Sequence, residues 1–111
     1  MSNPSKAKGD RAELELAKLL SDRLGVPVRR RLGAGRLDDT GDIDGVANHV
    51  IEVKSYADFP AGLRSALGGL DAKAANAGVD HAVGVLRRPG GEFVVVMTVH
   101  QWIKYLRGPQ S

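Results

Sequence analysis

The sequence predicts a single α/β domain with elements in the order αβββαββα. Three observations carry that prediction. At 111 residues the chain is long enough to bury one core and too short for two. Apolar residues recur at spacings of three and four in three stretches, and runs of strand length, alternating or rich in β-branched residues, lie between them. Apolar residues make up 42% and charged residues 26%, a balance that favours a packed core over disorder.

Residues 1–9 hold Lys6, Lys8, Ser, Asn, Pro and Gly with almost nothing to bury, so they read as a flexible basic tail before a domain over 10–108. From Asp10 the spacing of Ala12, Leu16, Leu19, Leu20 and Leu24 predicts a helix that Gly25 stops. Projected at 100° per residue, Glu13 falls inside that apolar stripe, where a carboxylate is out of place. Residues 26–32 read as a strand entered at an edge through Pro27. Residues 33–41 are a glycine-rich loop on composition.

Residues 42–47 and 50–55 then form an expected hairpin around Asn48-His49. Its alternation would bring Asp42, Glu52 and Lys54 onto one face. Leu63, Leu67, Leu70, Ala74 and Ala77 continue at helical spacing to Gly78, with a weak point at Gly68-Gly69. Residues 81–88 and 92–98 read as a second hairpin around Pro89-Gly90-Gly91, its second strand a valine run. Thr98 and Gln101 have the spacing of a capping box, and Val99, Trp102, Ile103 and Leu106 make the stripe of a last helix ending at Gly108-Pro109.

Charge is distributed unevenly. Residues 1–37 carry nine basic and four acidic groups, residues 38–58 one and six, and residues 59–111 six and three. An acidic island between basic flanks suits a cation-binding centre within a surface that attracts phosphate. The chain has no cysteine, which excludes disulfides, thiolate metal sites and a cysteine nucleophile. Its longest apolar run, residues 93–97, is too short for a bilayer, and no signal-peptide pattern opens the chain, so an intracellular (cytoplasmic), soluble protein with no membrane partner is expected.

Asp42, Glu52 and Lys54 together carry the chemistry. Two carboxylates and an ammonium on one face are costly unless something uses them, and a divalent cation would. Mg²⁺ takes a few carboxylate oxygens and keeps waters that a phosphate displaces. Lys54 is placed to orient a water or offset charge on the phosphate. Glu13 would complete the shell directly or through water. Taken alone, Glu52 and Lys54 read as an exposed pair worth little; the joint pattern with Glu13 and Asp42 is the stronger signal. Asp44 replaces Asp42 if the register slips by two residues.

With Asp42 and Glu52-Val53-Lys54 the sequence resembles the PD-(D/E)xK nuclease superfamily. Lys8-Gly9-Asp10-Arg11-Ala12-Glu13, Gly41-Asp42-Ile43-Asp44-Gly45 and Ile51-Glu52-Val53-Lys54-Ser55 look like the opening helix and central hairpin of archaeal-type Holliday junction resolvases. The resemblance implies a restriction-endonuclease-like core with a mixed central sheet flanked by helices. It also implies Mg²⁺ or Mn²⁺ dependence, DNA phosphodiester hydrolysis at four-way junctions and a homodimer. Glu13, Asp42 and Glu52 would then be metal-site residues and Lys54 the catalytic lysine. Flap, nicking and restriction-type nucleases, or a DNA-binding module without chemistry, fit the same core.

Lys6, Lys8, Arg11, Arg29, Arg30, Arg31 and Arg36 suit contacts to DNA phosphates, because arginine forks onto phosphate oxygens. His49, His81 and His100 lack metal-ligand spacing and read as turn or surface residues. Trp102 and Tyr105 read as core and interface residues.

Overall fold

The structure, a computed structural model, describes residues 4–31, 41–55, 58–88 and 91–108, with side chains from Asp10 onward. Its elements are α1 (Pro4–Leu24), β1 (Arg29–Arg30), β2 (Ile43–Asp44), β3 (His49–Lys54), α2 (Phe59–Leu67), α3 (Leu70–Ala77), β4 (His81–Arg87), β5 (Phe93–Val96) and α4 (Val99–Arg107). This is an α/β fold built on a mixed three-stranded sheet. β3 runs parallel to β4, and β5 pairs antiparallel on the other side of β4.

Two boundaries differ from expectation. α1 opens at Pro4 rather than Asp10, so the backbone of 4–9 extends the helix where composition suggested a flexible tail. Proline is tolerated in a first helical turn, whose N–H groups have no partner within the helix. The expected middle helix is two helices. Gly68 leaves α2 in an extended conformation (φ −69°, ψ 127°) after its N–H bonds to the Ser65 carbonyl, and α3 restarts at Leu70.

The expected hairpin of 42–47 with 50–55 is also replaced. β2 is two residues long and pairs antiparallel with β1, Arg30 opposite Ile43. β3 receives no continuous ladder from it. Instead the Asp42 N–H donates to the Ile51 carbonyl (2.8 Å), and the Asp42 carboxylate accepts from the Val53 N–H (2.8 Å). A side chain thus satisfies the strand donor that a neighbouring backbone would otherwise have met.

The sheet buries both faces. Ile51 and Val53 of β3 join Val83 and Val85 of β4 in packing against Ala12, Leu16 and Ala17 of α1. Val50 and Ala82 pack on the other face against Leu70 and Ala74 of α3. Each of the Val, Leu and Ile side chains so removed from water stabilises the fold by roughly 1.5–3 kcal/mol, and each alanine methyl by less. α2 approaches β4 at Gly84, where a Cβ would lie 2.7 Å from the Ala66 Cβ, so two small residues set that helix-to-sheet distance. No helix among the described residues is long and apolar enough to cross a membrane.

Candidate active site

Backbone geometry places Asp42. Gly41 has φ +96°, and a Cβ there would sit 2.9 Å from Val50 Cγ1 and 3.1 Å from the Ile51 amide nitrogen. Only glycine allows this close a pass over β3. Asp42 follows and bonds to Ile51 and Val53, the residues on either side of Glu52. It therefore clasps the outer edge of β3 astride the second carboxylate.

Glu52 is buried although it carries a carboxyl group, with its side chain 5% exposed. Alternation puts it on the face that β3 turns to α3, and Lys73 of α3 brings its ammonium to 3.3 Å from Glu52 Oε1. Lys54 lies two residues along on the same face, 4.0 Å from Glu52 Oε2. The expected alignment of Glu52 with Lys54 is present; Asp42 stands at the strand edge beside them.

Glu13 approaches Asp42 from the face that α1 covers. Arg30 holds it, with Nε and Nη2 each 3.1 Å from Glu13 Oε2, and the same guanidinium reaches Asp10 Oδ1 at 2.7 Å. The carboxyl is pushed above its ordinary range, first by burial and then by the charge of Asp42, with Arg30 working in the opposite direction. Glu13 and Asp42 therefore share one electrostatic environment.

The basic residues divide. Arg30 is committed to Glu13 and Asp10, and Arg31 pairs with Asp44 at 2.9 Å, which leaves Asp44 at the exposed end of the centre. Arg11 and Arg29 are exposed. The side chains of Lys6, Lys8 and Arg36, and the loop over 32–40 that contains Arg36, lie outside the described residues.

A divalent cation can be tested against this donor set. Mg²⁺ keeps most of its waters and takes one or two protein carboxylates. Asp42, bonded to β3 on either side of Glu52, and Glu52 itself are two carboxylates of that kind, and Glu52 already lies beside two ammonium groups. Among the described residues no three His, Cys, Asp or Glu side chains gather into a ligand cluster.

Sequence reasoning missed Lys73, whose helix reaches Glu52 only through the packing of α3 on β3. It also separated the histidines. The parallel register sets His49 opposite His81. His81 stacks on Tyr105 at 3.9 Å between ring centroids, and His49 Nε2 hydrogen-bonds the Tyr105 hydroxyl. These rings sit at the far end of the β3–β4 pair from Lys54. The cleft of about 460 Å³ lined by Asp80, His81, Tyr105 and Lys104 is there, and neither Asp42 nor Glu52 lines it. Pairing between distant segments makes this cluster, and spacing along the chain carries no trace of it.

No protein-family model, curated protein or solved structure matches the chain. The functional reading therefore rests on the residues and their arrangement.

Proposed function

We propose that the chain is a metal-dependent DNA endonuclease with a restriction-endonuclease-like core, acting as a homodimer on four-way junctions. The observation that carries this reading is Asp42 bonded to β3 on both sides of the buried Glu52, with Lys54 next on the same face. Asp42 and Glu52 would hold Mg²⁺ or Mn²⁺, which when bound supplies a Lewis acid for the phosphoryl oxygen and an acidified water. Lys54 donates hydrogen bonds toward the scissile phosphate and offsets charge that grows there. Arg30 and Glu13 brace each other beside Asp42. Exposed Arg11 and Arg29 engage backbone phosphates and position the duplex.

The homodimer has a specific support. α4 is amphipathic in the reverse sense: it buries Gln101 completely and leaves Val99, Trp102 and Leu106 more than half exposed. An apolar face turned outward is the usual mark of an interface.

The decisive experiment compares cleavage of four-way junction, flap, linear duplex and single-stranded DNA with Mg²⁺ present or chelated. Chelator-sensitive cutting of the junction in preference to the others is expected. Cutting of flaps or duplex ends in preference to junctions assigns another nuclease of the same core, and binding without cutting assigns a DNA-binding module.

A further inference from the structure

We propose that Lys73 is a positioning residue of this centre: its ammonium occupies the Glu52 carboxylate and so sets how weakly the DNA-free protein holds its divalent ion. The inference rests on the reading of Glu52 as a metal ligand. Lys73 comes from α3, an element that the paired-carboxylate pattern does not include. Its ammonium is nonetheless closer to Glu52 than that of Lys54, at 3.3 Å against 4.0 Å. The lysine side chain is 17% exposed and the glutamate 5%, so solvent screens the pair far less than a surface pair. Two positive charges cannot share one carboxylate in so dry a place without mutual repulsion. A cation arriving at Glu52 must therefore displace the Lys73 ammonium or bind against its field. The helix is anchored on both sides of the lysine by Leu70 and Ala74, buried against Val50 and Ala82. The ammonium is delivered by a fixed element rather than by a mobile chain.

The test is Mn²⁺ binding to DNA-free protein, read by the loss of the free-ion electron paramagnetic resonance signal. It is paired with the Mg²⁺ concentration that gives half-maximal cleavage. Lys73→Met and Lys73→Gln, which remove the charge, are expected to bind Mn²⁺ about tenfold more tightly and to need correspondingly less Mg²⁺. Lys73→Arg, which keeps the charge, stays near the wild type. A purely structural lysine predicts the reverse, since a loosened site binds metal more weakly. Unchanged or weaker Mn²⁺ binding by a charge-removing variant that keeps the wild-type melting profile overturns the inference. If Lys73→Met does not fold, Lys73→Gln decides. Glu52→Gln separates the two readings: loss of Mn²⁺ binding in that variant keeps the metal centre whatever Lys73 does, and retention removes the centre and the inference together.

Discussion

Charges at the site contact one another within β3, as Lys54 and Glu52 do, and across elements, as Lys73 does with Glu52 and Arg30 with Glu13 and Asp10, and the consequences of removing one side differ. Glu52→Gln or Asp42→Asn removes a carboxylate oxygen of the proposed metal centre while leaving the basic surface intact. Cleavage is expected to vanish and DNA binding to persist, measured on the same junction by gel shift and by product formation. Lys54→Ala is expected to lower the rate by about 10²–10³-fold, the range for one donor to developing charge, with Mn²⁺ still bound. Arg30→Ala acts through stability. It leaves Asp10 and Glu13 without their guanidinium, next to Asp42, and partly buried charge-assisted bonds contribute about 1.5–3 kcal/mol. A loss of that size in urea denaturation is expected at neutral pH, where Arg30 balances two carboxylates.

Elements position those residues through a few close approaches. Gly41→Ala sets a methyl group against Val50 and the β3 backbone at a positive φ, a strain of about 1–3 kcal/mol. The chain relieves it by lifting Asp42 off β3, so both the melting temperature and the rate at saturating Mg²⁺ should fall; loss of stability alone would mean that Asp42 keeps its clasp. How much of this was legible in the sequence follows from the range of each interaction. Helical spacing located α1, α4 and one middle helix where the structure has α2 and α3, and Glu13 stood out within the apolar stripe of α1. The break between α2 and α3 was visible as Gly68-Gly69. The clasp of Asp42 was not, because alternation describes a ladder and gives no sign that a carboxylate will replace one of its rungs. Thr98 was legible as a cap, and its hydroxyl accepts from the Gln101 N–H at 3.1 Å. The Gln101 side chain does not return the bond. It turns inward, where Oε1 accepts from the Ala82 N–H at 3.1 Å and Nε2 donates to Asp71. That choice depends on where α4 meets β4 and α3, which local sequence does not encode.

At the scale of the whole molecule, the ring end of the β3–β4 pair makes stability depend on pH. At the ring end, burial, the neighbouring His49 and Lys104 hold His81 below its ordinary value of 6.5, against the pull of Asp80. A base with a depressed folded value binds its proton more readily when unfolded. Stability is therefore intact above about pH 6.5 and is lost as pH falls through that value toward the folded one. A melting temperature that falls between pH 7.5 and pH 5.5, and falls less in His81→Phe, is expected; equal falls would move the sensitivity elsewhere. The remaining surface bears on assembly. A single centre cuts one strand, and resolving a junction takes two cuts related by a two-fold axis, which a C2 dimer supplies. α4 offers Val99, Trp102, Ile103 and Leu106 to solvent, and Val95 of β5 is exposed as well. In the proposed dimer Trp102 would be the anchor, since aromatic side chains carry much of the energy of an interface. The substitution Trp102→Glu faces outward and spares the core, so it is expected to give a folded monomer by light scattering. That monomer would nick junctions without making paired cuts, as seen with strand-specific end labels. A wild type that is monomeric at micromolar concentration, or a Trp102→Glu protein that still pairs its cuts, would place the second centre on some other face or remove the need for it.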